Sequence, residues 1–205
     1  MPSPFYTTEQ KVERFLRVQE AMDAEFSSSR NAFGLPLLPF TTTEMQLSRY
    51  LRQEFGLAYH FWVGFYNMAK GLVPEGKWMG EHYLTLGPHA SDADHNGHGC
   101  SIIPFLKGAC GYAARNQKTV IIPNTQAWTP DDAAAHKTRG KTVEGIIHCS
   151  TKASSEIVVP VFSQGGKGRL IAVLDIDSSI DPVDAATFDT TDQDHLETLL
   201  RKYFP

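Results

Sequence analysis

The sequence predicts an α+β fold in which a central, mainly antiparallel β-sheet lies between helices. Two observations support this class. Stretches near both ends of the chain repeat apolar residues at the spacing of an α-helix, whereas the middle consists of short alternating or apolar runs typical of strands. Because no repeat or low-complexity tract divides the 205 residues, we expect one domain over 1–205, with a helical segment 1–57 packing on a sheet segment 58–205.

The first two predicted elements are amphipathic helices. Residues 8–27 place apolar side chains at helical spacing, and a second helix is expected from about Thr42 to Gly56, where the glycine favours termination. A capping box is expected at each start, formed by Thr7 with Gln10 and by Thr41 with Glu44. The side chains expected to face the core are Val12, Phe15, Leu16, Met22, Phe26, Leu47, Tyr50, Leu51 and Phe55.

The β part begins with the run 59–68, in which aromatic and apolar residues alternate with other types. Trp62 and Tyr66 share one face of this strand, where they form either more core or the wall of a pocket. The later elements are strands at 81–88, 100–105 and 119–123, a helix at 108–117, strands at 156–163 and 169–177 joined by a hairpin turn, and a helix from about Thr191. Long loops are expected at 88–99 and 124–148.

Composition and charge exclude several classes of function. The net charge of −4 provides no basic surface for nucleic acid or for an acidic membrane. No apolar run approaches the roughly 20 residues of a membrane helix, and the N-terminus lacks the basic and apolar regions of a secretory signal. We therefore expect a soluble cytoplasmic enzyme or sensor.

The chain contains three cysteines, Cys100, Cys110 and Cys149, all within one quarter of the sequence. Because the number is odd, they cannot all pair within one chain. In a reducing compartment, cysteine pairs tend to be catalytic or redox-sensing rather than structural. The alternative for each cysteine is a small buried apolar side chain.

Carboxylates follow the last cysteine on two predicted strands. Glu156 opens one strand seven residues after Cys149, and Asp175 and Asp177 lie two residues apart on the next. Positions two apart share a strand face, so both aspartates can point at one place. Although a single Asp here would more often cap a turn, thiols beside several carboxylates suggest redox chemistry on a small cationic substrate.

A loop rich in histidine and aspartate offers a competing interpretation. Its members are His89, Asp92, Asp94, His95 and His98. Their spacing matches no helical metal motif, and a solvated polar loop explains them equally well. We therefore expect no metal site.

Five motifs in order resemble the GAF fold and, more narrowly, the free methionine-(R)-sulfoxide reductases. The motifs are WVGFY at 62–66, YLTLGP at 83–88, Cys100 and Cys110 in C-x9-C spacing, SSEIVVPV at 154–161 and AVLDIDS at 172–178. Together they cover most of residues 60–180. The resemblance implies reduction of free L-methionine-(R)-S-oxide to L-methionine through a cysteine sulfenic acid and an intramolecular disulfide.

The resemblance also implies roles for the site residues. Cys149 is the expected nucleophile; alternatively Cys110 attacks, its pKa lowered by the start of a short helix, and Cys149 resolves, with Cys100 as a relay. The expected substrate-binding residues are Trp62, Tyr66, Glu156, Asp175 and Asp177. No bound cofactor is implied, only a thioredoxin-like dithiol protein ultimately reduced by NADPH.

Two questions stay open at the level of sequence. The rival function is a non-enzymatic GAF sensor of a small ligand or of redox state, although the three cysteines beside three acids and the lack of an output domain favour the enzyme. A homodimer is common among GAF folds, but no interface is diagnostic here.

Overall fold

The structure, a computed structural model, describes residues 6–27, 39–70, 82–91, 100–105, 107–125, 153–180 and 187–204. Ten elements follow in the predicted order of types. They are α1 (Thr8–Ser27), α2 (Phe40–Tyr59), β1 (Trp62–Ala69), β2 (Tyr83–Ser91), β3 (Ile102–Pro104), α3 (Gly108–Asn116), β4 (Val120–Ile122), β5 (Ser155–Phe162), β6 (Leu170–Ser178) and α4 (Thr190–Tyr203).

The strands form one six-stranded sheet in the order β3-β2-β1-β6-β5-β4. Every neighbouring pair is antiparallel, which confirms the predicted α+β class. β6 lies between β1 and β5, so that Asp177 pairs with Trp62 on one side and with Glu156 on the other. The register therefore brings three of the candidate residues to one end of the central strands.

One face of the sheet is covered by α1, α2 and α4. These helices bury their apolar stripes against side chains of β1, β5 and β6, such as Val63, Phe65, Val159 and Leu174. Among the described residues, this layer is the larger of the two hydrophobic cores, and the burial of its apolar side chains stabilises the fold.

The opposite face is covered, among the described elements, by the short helix α3. Cys110, Ala113 and Ala114 of α3 pack against Trp62, Tyr66, Val158 and Val173 of the sheet. Small side chains let the helix approach the strands closely. The candidate site lies in this second layer.

Several details of the helices differ from the predictions. In α1, Leu16 is 48% exposed and Lys11 is buried instead, because Lys11 has carboxylate partners on α4. α2 begins at Phe40 after Pro39 without a side-chain cap. The predicted Thr41–Glu44 box is wrong because the Glu44 carboxylate is buried and accepts from Asn67 Nδ2 at 3.4 Å.

Two boundaries also differ. Gly56, at φ 76°, interrupts α2 but the helix continues to Tyr59. β2 extends through Ser91, since its residues continue to pair with β1 as far as Trp62, so 88–91 are strand rather than loop. The rest of the two predicted loops, apart from 124–125, lies outside the described residues. No helix in the described ranges is long and apolar enough to cross a membrane.

Candidate active site

Strand register places the carboxylates of the site on the face that α3 covers. Asp175 lies between Gly64 of β1 and Val158 of β5, and Asp177 lies between Trp62 and Glu156. On each strand the two residues named here are two positions apart, and they lie directly opposite one another in neighbouring strands. Their side chains therefore share one face of the sheet.

Helix α3 adds a thiol to this group. Cys110, in the first turn of α3, donates from Sγ to Asp175 Oδ2 at 3.3 Å. Its sulfur and one carboxylate oxygen each of Glu156 and Asp175 lie within 4.8 Å of one another. Cys110 and Asp175 are each only 4% exposed. The result is a compact thiol–carboxylate cluster, defined here as Cys110, Glu156, Asp175 and Asp177.

The carboxyl groups of the cluster hold their protons more tightly than free carboxyls. Burial raises the pKa of Asp175, and the neighbouring charge of Asp177 raises it further. Burial and the charge of Asp175 raise the pKa of Glu156, and burial and the charge of Glu156 raise the pKa of Asp177. The cluster can therefore supply a proton to a bound molecule or, once ionised, stabilise a cation.

The same surroundings act on the cysteine. Burial raises the pKa of the Cys110 thiol well above its ordinary value, and the charges of Asp175 and Glu156 raise it further. The alternative in which Cys110 attacks depends on a lowered thiol pKa. In the structure burial and the carboxylates together favour the neutral thiol, so Cys110 serves better as a hydrogen-bond donor than as a nucleophile.

Aromatic side chains flank the cluster. The Trp62 and Tyr66 rings lie 5.8 Å apart between centroids, and His89 of β2 stacks on Trp62 at 5.9 Å. The Trp62 ring lies over Gly64, where an added Cβ atom would overlap indole Cη2 and come within 2.6 Å of indole Cζ2 and 2.8 Å of His89 Cβ. Gly64 therefore leaves the space that the indole ring occupies.

The site contains buried polar atoms without a protein partner. Among the described residues, Trp62 Nε1 and Asp175 Oδ1 make no hydrogen bond. Because such groups are costly to bury unpaired, they mark positions where a ligand can donate or accept. The geometry of Cys110, Glu156 and Asp175 is also compatible with a metal ion, but a protonated thiol that donates to Asp175 suits the cluster as an acid rather than as a ligand set.

Six of the eight predicted site residues are brought together: Trp62, Tyr66, Cys110, Glu156, Asp175 and Asp177. Cys100 precedes β3, packs against the same layer and is disulfide-bonded. Cys149 lies outside the described residues. Of the histidine and aspartate loop, the structure describes His89, whereas Asp92, Asp94, His95 and His98 lie outside the described residues.

Two site residues were not identified from the sequence, His89 and Gly64. His89 was assigned to a loop because the prediction ended β2 too early. A continued pairing of β2 with the Trp62 end of β1 would have placed it beside the indole.

An antiparallel sheet lies between helices, and a buried thiol–carboxylate cluster lies on the face that α3 covers among the described elements, an arrangement that defines an α+β domain. Residues 45–202 match the GAF domain family. The chain therefore belongs to the GAF family, as the motifs predicted.

The individual proteins that this chain is similar to include free methionine-R-sulfoxide reductases and a candidate sensor. The chain is 32% identical over 140 residues to a free methionine-R-sulfoxide reductase of Saccharomyces cerevisiae, an alignment that covers 64% of this chain and 63% of that protein. The structure is similar to that of free methionine-R-sulfoxide reductase from Neisseria meningitidis in complex with its substrate, at 27% identity and a TM-score of 0.61, covering 98% and 93% of the two chains. It is also similar to a candidate GAF sensor protein from Burkholderia vietnamiensis, at 25% identity and a TM-score of 0.64, covering 95% and 93%.

Proposed function

We propose that this protein reduces free L-methionine-(R)-S-oxide to L-methionine. The observation that carries the proposal is the buried thiol–carboxylate cluster beside the Trp62 and Tyr66 rings. Similarity to free methionine-R-sulfoxide reductases from two organisms supports the choice of substrate.

Each part of the substrate has a complementary group in the site. The ammonium group would pair with Glu156, Asp175 or Asp177, where burial strengthens an ion pair relative to water. The methyl and thioether groups would pack against Trp62 and Tyr66, which offer apolar surface. Methionine sulfoxide within a polypeptide lacks the free ammonium group, so the site would select the free amino acid.

The proposed reaction needs a thiolate and an acid. The Cys149 thiolate attacks the sulfoxide sulfur while a carboxyl of the cluster protonates the oxygen. The attack forms a transient bond between the two sulfurs; the hydroxyl oxygen then moves to the Cys149 sulfur while this S–S bond and the S–O bond of the substrate break, so that methionine leaves and Cys149 becomes a sulfenic acid. The substrate is reduced by two electrons and the cysteine is oxidised by two.

A second thiol then resolves the sulfenic acid. Attack by Cys100 on the oxidised sulfur of Cys149 forms a disulfide and releases water. A thioredoxin-like dithiol protein, ultimately reduced by NADPH, restores both thiols by exchange in the cytoplasm. Cys110 is left out of this cycle because its thiol holds Asp175 and its raised pKa disfavours the thiolate.

The second candidate is a non-enzymatic sensor. The similarity to the Burkholderia vietnamiensis protein favours it, since that structure is described as a candidate GAF sensor. A sensor would bind a small molecule at the same cluster without consuming it.

A coupled assay separates the two functions. The protein is incubated with free L-methionine-(R)-S-oxide, thioredoxin, thioredoxin reductase and NADPH, and NADPH consumption is followed for the wild type, Cys149→Ser and Cys110→Ser. We expect turnover by the wild type and by Cys110→Ser and none by Cys149→Ser. Binding of the sulfoxide without turnover by any of the three, with thioredoxin or with dithiothreitol, would replace the reductase by a sensor.

A further inference from the structure

A cavity lies on the α3 side of the sheet, near the last turn of α3. It is formed by the ends of β1 and α3 and the starts of β2 and β6, and its volume is about 490 Å3. That volume falls within the ~300–1,000 Å3 typical of small-molecule sites. The described lining residues include none of those assigned above to the candidate active site.

The described ionisable side chains that line this cavity are basic. Lys70, Arg115 and Arg169 line it together with His82, and the described lining residues include no carboxylate. This concentration is unusual in a chain with a net charge of −4. Like charges held in one concave site repel one another and raise the local potential, so an anion that enters is stabilised.

The cavity also has an apolar part. Lys70 and Arg169 are exposed, whereas Met68, Phe105 and Leu170 are partly buried. Arg115 lies in the last turn of α3, where part of its charge offsets the negative end of the helix. A ligand would therefore place its charged group between Lys70 and Arg169 and its apolar body against Phe105 and Met68.

We propose that this cavity binds a small phosphorylated compound with an aromatic or apolar body. Guanidinium groups match the oxygens of phosphate in paired hydrogen bonds, and a lysine adds a point charge. A phosphoryl group carries more charge than a single carboxylate, which suits a site with the two exposed cations Lys70 and Arg169. The proposal concerns a separate site, so it does not depend on the proposed reductase function.

Calorimetric titration tests the proposal with adenosine diphosphate as the probe. The test variant is Lys70→Glu/Arg169→Glu. The control is Lys118→Glu/Lys167→Glu, which makes the same change in net charge at two exposed positions outside the cavity. Circular dichroism establishes that all three proteins are folded. Pyrophosphate, adenosine and citrate serve as comparison ligands.

We expect the wild type and the control to bind adenosine diphosphate at one site, and the test variant to bind at least about tenfold more weakly because charge-assisted hydrogen bonds are lost. Adenosine and pyrophosphate should each bind more weakly than the whole molecule, and citrate more weakly than adenosine diphosphate. Failure of the wild type to bind, or equal weakening in both variants, would overturn the site. Equal binding of citrate would overturn the phosphorylated class, and equal binding of pyrophosphate or adenosine would overturn the two-part ligand.

Discussion

At the scale of single residues, Cys110 shows how surroundings decide what a thiol does. The start of a helix favours a thiolate, but burial and two carboxylates favour the neutral thiol. The hydrogen bond from Cys110 Sγ to Asp175 Oδ2 depends on that proton. Cys110 is thus better described as a residue that positions Asp175 than as a nucleophile.

Alkylation of the thiol tests this description. In the reduced native protein at pH 8, we expect Cys110 to react with iodoacetamide much more slowly than in the unfolded protein, because its pKa is raised. Asp175→Asn removes the largest charge acting on the thiol and should accelerate the reaction. Peptide mass spectrometry measures the modified fraction. Rapid modification of Cys110 in the native wild type would contradict the assignment.

Gly64 is the second residue whose role follows from close contact. In Gly64→Ala, the new methyl group would collide with the Trp62 indole and with His89, so we expect a loss of about 1–3 kcal/mol in the free energy of unfolding. Urea denaturation measures the change. In a Trp62→Ala background the same substitution should cost less, because the obstructing ring is gone. Equal costs in both backgrounds would show that the indole does not lie over Gly64.

At the scale of elements, a buried ion cluster joins α1 to α4. Lys11 Nζ donates to Asp192 Oδ2 at 2.5 Å, to Asp189 Oδ2 at 2.9 Å and to the Thr187 carbonyl at 3.0 Å. Asp189 also caps α4, accepting from the backbone N–H groups of Thr191 and Asp192. One lysine therefore fixes both the start of α4 and its packing against α1.

Removal of this lysine should lower the free energy of unfolding by an amount that depends on pH. Lys11→Met leaves the Asp192 carboxylate buried without a cation, so we expect a loss of about 3–5 kcal/mol at pH 8. The pKa of Asp192 is about 6 with Lys11 present, and loss of the cation raises it further. The cost should therefore shrink as the pH falls from the raised pKa of the variant towards 6 and be smallest below 6, because the carboxyl is then protonated in both proteins and needs no partner.

The control is Lys202→Met, which removes an exposed ion pair to Asp23. Such pairs contribute up to about 1 kcal/mol, so this variant should unfold near the wild-type urea midpoint. If both variants lose the same small amount of unfolding free energy, the Lys11 cluster does not stabilise the packing of α1 against α4.

The contact of α2 with β1 contains a buried acid. Burial raises the pKa of Glu44 to about 8, while its hydrogen bond from Asn67 lowers it slightly. Because the unfolded carboxyl ionises near 4.5, the stability contributed by protonated Glu44 is fully present below that pH and is lost as the pH rises to about 8.

Glu44→Gln should remove this dependence while keeping an oxygen for Asn67. We expect the variant to match the wild type near pH 4.5 and to be more stable by about 1–3 kcal/mol above pH 8. Urea denaturation of both proteins at several pH values across this range measures the difference in stability. Because Asp192 titrates in the same way in both proteins, its contribution cancels in that difference. A constant difference at every pH would contradict the raised pKa.

These two buried groups also show the limit of prediction from sequence at this scale. The order of all ten elements could be predicted, since helix and strand spacing are local patterns. Lys11 and Glu44 could not be identified as buried, because their partners lie far away in sequence. Lys11 pairs with Asp192 across 181 positions and Glu44 with Asn67 across 23. The helical spacing instead favoured Leu16, which faces outward.

At the scale of the whole molecule, the two faces of the sheet differ in the side chains that they carry. Among the described elements, three helices bury a large apolar core on one face, and the short helix α3 covers the polar groups on the other. The thiol–carboxylate cluster lies by the first turn of α3 and the basic cavity by its last turn. These positions complement the direction of the helix dipole at both ends.

Most of the site could be predicted because it depends on strand alternation. Asp175 and Asp177 share a face by spacing alone, and Trp62 and Tyr66 share one for the same reason. The approach of α3 to the sheet could not be predicted in this way, and it determines the proton affinity of Cys110. Most residues of the site could thus be predicted from the sequence, whereas the raised pKa of the Cys110 thiol could be inferred only from the packing of α3 on the sheet.

The central claim is that the cluster accepts free methionine sulfoxide for reduction. The most direct test is a single turnover of pre-reduced protein without any reductant, with methionine quantified after quenching. We predict that free L-methionine-(R)-S-oxide yields methionine in an amount stoichiometric with the protein, and that the N-acetylated sulfoxide, which lacks the ammonium group, yields almost none. The absence of methionine from the free amino acid, or equal yields from both compounds, would contradict the account.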